Sequence, residues 1–309
     1  MRVTVLLGGP SDERSVSLVS GRAVAEALRA CGHEVFESDV SASDLSGLDH
    51  PADVIFPVLH GKFGEDGQLQ EILEKRDLPF VGSGSAASRT AMDKDRTKQA
   101  WQRAGLPTAP WEVLTKDRWD GQSLPARVKP ACVVKPVDSG SSIDVSICQT
   151  NGQVRNTCRK LVDKYGAAMV EKFIKGAEIT VGVLEEEALP AIRIETPRGI
   201  YDNKAKYDDP NTQYHFDTGL PAEVVQRCGE LAVRAHKVLG CRDLSRVDMI
   251  VDGANEPQLL EINTIPGFTA RSLLPKAAAH AGIEFGQLVD RLAHIAAQRQ
   301  AQRAVSCCG

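Results

Sequence analysis

Apolar positions along this chain follow two periods, and the two alternate regularly through the first ninety residues. Residues 3–7 (VTVLL) are almost continuously apolar, which predicts a strand buried on both faces, as in a parallel sheet. Gly8-Gly9-Pro10-Ser11 then turns the chain, with Ser11 or Asp12 placed to cap a helix. That helix carries Val24, Ala27, Leu28 and Cys31 at i, i+3, i+4 and i+7, and Gly32 closes it. Further strands are predicted at 34–38, 53–59 and 80–81, with a short helix over 69–75. Strand and helix in alternation predict an α/β unit, a Rossmann-like doubly wound parallel sheet. Ligands of such sheets sit beyond the carboxyl ends of the strands, where Glu13 and His60 fall. Gly8-Gly9 alone is weak evidence for a phosphate site, because tight turns use glycine for purely structural reasons.

The pattern changes from residue 93. A helix over 95–104 ends at Gly105, and the Pro-rich stretch 106–111 reads as a domain boundary. Segments 1–93, 94–174 and 175–309 are the expected units. Strand 131–136 (ACVVKP) carries Lys135 near its end and runs into VDSGSS (137–142). That loop offers backbone N–H groups and hydroxyls to an anion, although a flexible surface turn has the same composition and GxxxxGK[ST] is not matched. A helix over 151–165 precedes a strand at 168–174 holding Glu171 and Lys172. Strands 178–184 and 188–195 form an antiparallel hairpin around the solvated run 185–187. Residues 198–219 are polar and aperiodic, include Lys206 and Tyr207, and have the length of a lid. A helix over 221–239 stops at Gly240, and helices at 270–281 and 285–298 close the chain before a frayed tail after Gln300.

The most informative stretch is RVDMIVDGANEPQLLEINTIPG (246–267), two apolar runs joined by a turn-rich segment. Side chains two apart share one face of a strand, so Glu261 and Asn263 point the same way, and pairing brings Asp248 across from them. Two carboxylates and an amide oxygen are hard donors suited to Mg²⁺. A solvated hairpin face is the bland alternative. Arg246 beside them suits either an oxyanion forming at a carbonyl or an ion pair.

Composition narrows the class further. A chain of 309 residues calls for two or three domains, and 42% hydrophobic with 25% charged residues fits a soluble globular protein. A net charge of −4 gives no reason to expect nucleic acid or a membrane surface as partner. No apolar run approaches the ~20 residues of a membrane span, and no leader precedes the first strand, so a cytoplasmic protein is expected. The seven histidines show no metal-ligand spacing. The eight cysteines contain no CxxC and read as buried free thiols, apart from Cys307 and Cys308 in a polar tail. Lysines at strand ends, a Gly/Ser loop, a polar lid and an oxygen-ligand site together suit a nucleoside triphosphate.

Eight segments then carry a resemblance. They are LLGGPSDERSVSL (6–18), LHGKFGEDGQLQ (59–70), GSGSAASRTAMDK (82–94), VVKPVDSGSS (133–142), VEKFIKGAEIT (170–180), KAKYDDPNTQY (204–214), SRVDMI (245–250) and LLEINTIPGFTARSLLP (259–275). In this order they resemble the D-alanine–D-alanine ligase family of ATP-grasp enzymes, over residues 3–292. The resemblance implies an ATP-grasp fold behind a Rossmann-like N-terminal domain. It implies that Lys94 and Lys135 hold ATP phosphates, while Glu171, Lys172, Ile174 and Glu178 line the adenine and ribose site. Asp248, Glu261 and Asn263 would bind two Mg²⁺ (or Mn²⁺) ions, with room for a monovalent cation such as K⁺, and Lys206 would reach the γ-phosphate. Glu13 would take the ammonium of a first D-alanine, with Ser141 and Tyr207 completing a hydrogen-bonded set and His60 beside it. Arg246 and the Gly267 N–H would form an oxyanion hole, and Ser272 and Leu273 would receive the second D-alanine. The implied reaction runs through a D-alanyl phosphate to the dipeptide, ADP and phosphate, for peptidoglycan precursors, in a homodimer.

Four positions depart from the family pattern. Asp144 stands where GSSxG usually has glycine, which is expected to place a negative charge near the phosphates and to cost ~1–3 kcal/mol of strain if φ is positive. Asn203-Lys204 replaces Tyr-Glu, and Ile265 replaces a small residue. A D-alanine–D-lactate ligase is the first alternative, opposed by Tyr207 paired with Ser141; another ATP-grasp carboxylate–amine ligase is the second. A non-catalytic nucleotide binder would lack a metal carboxylate, a phosphate lysine or Arg246, all of which are present.

Overall fold

A computed structural model describes residues 1–140, 142–197 and 211–306. The chain opens with β1 (Arg2–Leu7), α1 (Arg14–Ala30), β2 (Glu34–Asp39) and β3 (Val54–Pro57), and the strands pair in parallel in the order β2-β1-β3. Alternation splits β1 between two cores. Val3 and Val5 pack with Val24 and Leu28 of α1, whereas Leu6 packs with Leu69 and Leu73 of α2 (Gln68–Lys75) on the other face. The doubly wound reading therefore holds for this sheet. Residues 80–81 do not form a strand; Phe80 makes one isolated bridge with Ile55.

The cap at the start of α1 differs from expectation. Its N-cap residue is Glu13, without a side-chain capping bond. Ser11 Oγ instead accepts from the Glu13 N–H at 3.2 Å and donates to the His60 carbonyl at 2.6 Å, tying the ends of β1 and β3 together. The double-glycine turn is structural. A Cβ on Gly8 would lie 2.3 Å from Asp39 Oδ1, which itself accepts from the Gly9 N–H at 3.0 Å.

Two helices follow, α3 (Ser85–Met92) and α4 (Lys94–Arg103). The first has no apolar stripe to announce it. Asp93 separates them and caps α4, its carboxylate accepting from the Asp95 and Arg96 N–H groups, both at 3.0 Å. The second sheet is antiparallel in the order β4-β7-β5-β6, built from β4 (Trp111–Thr115), β5 (Cys132–Lys135), β6 (Ser146–Cys148) and β7 (Ala167–Lys172). The Pro-rich stretch read only as a boundary thus leads directly into β4. Helix α5 (Asn151–Tyr165) covers this sheet, packing Val154, Cys158 and Leu161 on Val134, Ala168 and Val170. Its ends match the sequence reading because both are locally encoded. Thr150 and Gln153 form a capping box, and Gly166 at φ +80° accepts the left-handed exit.

The third sheet comprises β8 (Gly176–Leu184), β9 (Glu187–Ala188), β10 (Ile192–Glu195), β11 (Gln213–His215), β12 (Leu244–Asp252) and β13 (Pro257–Asn263). Its order is β11-β10-β8-β12-β13, with β9 paired to β8. The strand expected over 188–195 is broken at 189–191, around Pro190, because proline has no N–H for the ladder. Helix α6 (Ala222–Val238) packs on this sheet through Val224, Leu231 and Ala235. Helices α7 (Leu273–His280) and α8 (Phe285–Ser306) then return to the first sheet, where Leu274, Leu288 and Leu292 share a core with Val3, Val54, Leu184 and Leu244.

Two of these boundaries correct the sequence reading. α7 starts at Leu273 rather than near 270, and α8 continues to Ser306 past the expected fraying. Arg299 and Gln300 explain the extension: Arg299 forks onto buried Asp243, and Gln300 Nε2 donates to Asp77 Oδ1 at 2.7 Å. Among the cysteines, Cys132, Cys148, Cys158 and Cys228 are buried thiols as expected, but Cys31 is exposed; Cys307 and Cys308 lie outside the described residues. No helix among the described residues is long and apolar enough to cross a membrane.

Candidate active site

The second and third sheets face each other across a cleft of about 980 Å³. Lys94, Lys135, Glu171, Lys172, Ile174, Glu178, Asp248 and Glu261 all line it. They converge because β5 and β7 run antiparallel side by side, with Glu171 paired to Val133 on the face that Lys135 shares two residues on, while the β12–β13 hairpin supplies the opposite wall. Lys94 enters from the first residue of α4; its Nζ donates to the Ser139 carbonyl at 2.7 Å and lies 3.7 Å from Glu261 Oε2. Lys135 Nζ donates to Glu171 Oε2 at 2.7 Å.

Glu171 is 2% exposed, and its other oxygen pairs with Lys98. Burial alone raises a carboxyl pKa, but Lys135 and Lys98 outweigh it and hold Glu171 below its ordinary value. Lys98 did not emerge from the sequence as a site residue. The available signal was spacing, since Lys94 and Lys98 sit one turn apart on one face of α4.

The hairpin behaves as its sequence predicts. Asp248 pairs with Glu261 and Arg246 with Asn263, so all four side chains share a face. A bulge follows Asp248, where the register shifts. The Asp248 carboxylate accepts from Thr180 Oγ1 at 2.6 Å and from Arg246 Nε and Nη2 at 3.0 and 2.9 Å. Asn263 Nδ2 is 3.4 Å from Asp248 Oδ2. Oxygen donors from Asp248, Glu261 and Asn263, with no sulfur or imidazole among them, fit a hard divalent ion such as Mg²⁺.

A second cavity, of about 720 Å³, lies beside the first. Its lining includes Glu13 and His60 from the segments that follow β1 and β3, Arg246 and Asn263 from the hairpin, and Gly267, Ser272 and Leu273 from the turn into α7. Lys94, Glu261, Asn263 and Gly140 line a narrow gap between the two cavities. Glu13 Oε2 lies close against two glycines, since a Cβ on Gly61 or Gly140 would come within 3.0 or 3.1 Å of it. Gly267 likewise abuts Ser272, whose Oγ a Cβ would meet at 3.2 Å. His60 is 5% exposed with Nδ1 3.9 Å from Glu65 Oε1. Burial works against its imidazolium, but Glu65 and Glu13 prevail and its pKa lies above the ordinary histidine value. Glu65 and Arg271 also line this cavity; both fall within segments that carry the family resemblance, although no role attaches to them there. Ser141, Lys206 and Tyr207, together with Asn203 and Lys204, lie outside the described residues.

Asp144 corrects one expectation. Its φ is +57°, the left-handed conformation that glycine would favour, yet its carboxylate does not add charge to the cleft. Lys164 Nζ and Tyr165 Oη donate to it at 2.8 and 2.6 Å, drawing it to the end of α5 and lowering its pKa. Ile265, the other described departure, is 8% exposed and lines the second cavity.

Two antiparallel sheets closing on a lysine-lined cleft, with an acidic hairpin at its edge and a Rossmann-like sheet behind, define an enzyme of the ATP-grasp class. Comparisons with known proteins narrow this. Family models described as D-ala D-ala ligase N-terminus and C-terminus match residues 33–83 and 100–294. A D-alanine–D-alanine ligase of Chromohalobacter salexigens is 42% identical over 94% of this chain and 93% of its own length. A crystal structure of D-alanine–D-alanine ligase from Bacillus anthracis superposes with a TM-score of 0.84 at 32% identity, covering 98% of this chain and 99% of that one. The Bacillus anthracis enzyme complexed with ATP gives 0.81 at 30% identity, with the same coverage. The chain belongs to the D-alanine–D-alanine ligase family.

Proposed function

We propose that this chain joins two molecules of D-alanine at the expense of ATP, as a cytoplasmic homodimeric enzyme supplying cell-wall precursors. The observation that carries the reading is the adjacency of two cavities: a phosphate-suited cleft meets a smaller pocket lined by a carboxylate, Glu13, and a guanidinium, Arg246. A carboxylate oxygen of the first D-alanine attacks the γ-phosphorus of ATP, and ADP leaves. The amine of the second attacks the acyl carbon, loses a proton, and expels phosphate.

Lys94 and Lys135 hold the phosphates, and Lys206 reaches the γ-phosphate from the lid. Glu171, Lys172, Ile174 and Glu178 surround adenine and ribose. Glu13 binds the first ammonium, with Ser141, Tyr207 and His60 around it. Arg246 and the Gly267 N–H face the oxyanion, a role in which one donor typically contributes ~3–4 kcal/mol. Ser272 and Leu273, at the positive end of α7, receive the carboxylate of the second D-alanine. Asp248, Glu261 and Asn263 would hold two Mg²⁺ or Mn²⁺ ions, which when bound neutralise and orient phosphate oxygens. The three sheets support a division into units 1–93, 94–174 and 175–309.

The test is phosphate release from ATP and Mg²⁺ with D-alanine, L-alanine or D-lactate, alongside Glu261→Ala. Release that needs D-alanine, yields dipeptide and disappears in the variant is expected. Turnover with D-lactate but not D-alanine near neutral pH overturns the assignment of acceptor, and ATP binding without D-alanine-dependent turnover overturns the assignment of a ligase.

A further inference from the structure

The floor of the nucleotide cleft contains three charges, only two of which the ATP-binding reading uses. Lys135 and Glu171 line the cleft; Lys98 does not, and is fully buried behind them. One carboxylate is therefore shared by two ammonium groups, Lys135 on Oε2 at 2.7 Å and Lys98 on Oε1. Lys98 is itself placed by its surroundings. Its Nζ donates to Thr108 Oγ1, which donates in turn to the Leu259 carbonyl of β13 at 2.7 Å. The same Nζ lies 5.2 Å from the centroid of the Trp111 ring, whose Nε1 donates to Asp95 Oδ1 at 2.7 Å. A lysine with no exposed surface requires compensation of this kind, because an isolated buried charge is unfavourable. Burial lowers its pKa, with Lys135 acting in the same direction, and Glu171 opposes both.

We infer that Lys98 is a positioning residue for ATP, acting through Glu171 to keep Lys135 directed at the phosphates. With Lys98 present, each oxygen of Glu171 has its own cation, and the trio carries a net positive charge at the cleft floor. Without it, Glu171 has an unpaired buried oxygen, and its whole negative charge falls on Lys135. The Lys135–Glu171 pair becomes neutral, and an incoming phosphate must compete with Glu171 for the ammonium protons. Lys98 thus preserves the attraction of a lysine it does not touch. It also couples the two walls of the cleft, since α4 and β7 meet through its pair with Glu171, and β13 joins through Thr108.

This inference rests on the cleft binding ATP, so binding is measured separately from turnover. Wild type, Lys98→Met, Glu171→Gln and the double variant are titrated calorimetrically with the non-hydrolysable analogue adenylyl imidodiphosphate and Mg²⁺. D-alanine-dependent phosphate release and thermal midpoints are recorded in parallel. Expected is a Kd at least about tenfold weaker in Lys98→Met, with the KM for ATP rising more than kcat falls. In the Glu171→Gln background, Lys98→Met changes Kd by less than about twofold, because its intermediary is gone. The double variant leaves neither buried charge alone, and the thermal midpoints separate a loss of affinity from a loss of folding. An equal loss of affinity from Lys98→Met in both backgrounds, or no loss in either, overturns the inference. No analogue binding by wild type overturns the nucleotide reading itself, and analogue binding without D-alanine-dependent turnover overturns only the ligase assignment.

Discussion

Asp243 offers the sharpest test of how the two ends of this chain are held together. It is 4% exposed, sits at φ +64°, and is ligated on both oxygens. Arg299 of α8 forks onto the carboxylate, and the Gly82 N–H donates to Oδ2 at 2.7 Å. Arg299 also donates to the Phe80 carbonyl at 3.1 Å, while neighbouring Arg242 donates to the Gly82 carbonyl at 2.6 Å and covers the Phe80 ring. This clamp joins the end of the Rossmann-like sheet to the loop before β12 and to α8, and so holds Glu13 and His60 opposite Arg246 and Asn263. Asp243→Asn keeps the shape and tolerates the left-handed backbone, so strain is not introduced. It removes the charge and leaves Arg299 facing an amide.

Breaking a buried pair typically costs ~3–5 kcal/mol. Arg299 retains 23% side-chain exposure, through which water recovers part of that cost. A loss of about 2–3 kcal/mol is therefore expected, a sizeable part of the ~5–15 kcal/mol that holds a typical domain folded. The assay is urea unfolding followed by far-UV circular dichroism, with Arg299→Met and the double variant completing a cycle. A loss below about 1 kcal/mol, the range of exposed pairs, or strict additivity in the cycle would refute the clamp.

Two further outcomes are expected. Burial pushes the His236 imidazole down to about 4, from an ordinary 6.5, with Nδ1 2.7 Å from Ser245 Oγ. The unfolded chain then binds a proton between those values that the folded one does not. Stability is full above the unfolded pKa and falls by up to about 3 kcal/mol as pH drops toward the folded one. His236→Gln should flatten that slope in urea titrations from neutral pH to pH 4, and an unchanged slope would remove His236 as its source. Asp144→Gly should leave the KM for ATP within about twofold of wild type, because the carboxylate it removes is half-exposed and already engaged by Lys164 and Tyr165. A clear fall in KM would restore the view of that charge as a burden on the phosphates.

Local signals carried further in some parts of the chain than in others. The limits of α5 were legible because a capping box and a left-handed glycine encode them within a few residues. The shared face of Asp248, Glu261 and Asn263 was legible because strand alternation is a fixed period of two. The short helix α3 and the two-residue strand β9 were not: α3 buries only the small residues Ala87, Ser88 and Ala91, which make no apolar stripe, and β9 is too short to show a period. The end of α8 was hidden for a different reason: its last turns are held by Asp243 and Asp77, more than fifty residues away along the chain.

The sequence by itself therefore determined the elements with strong local encoding, the chemical types of the donors, and the family. Tertiary structure decided which charges meet. Nothing within a few residues of Lys98 says that it shares Glu171 with Lys135, or that Asp144 turns to α5 instead of the cleft. Those outcomes depend on contacts between distant segments, where the energy of a charge is set by what burial removes and what partner replaces it.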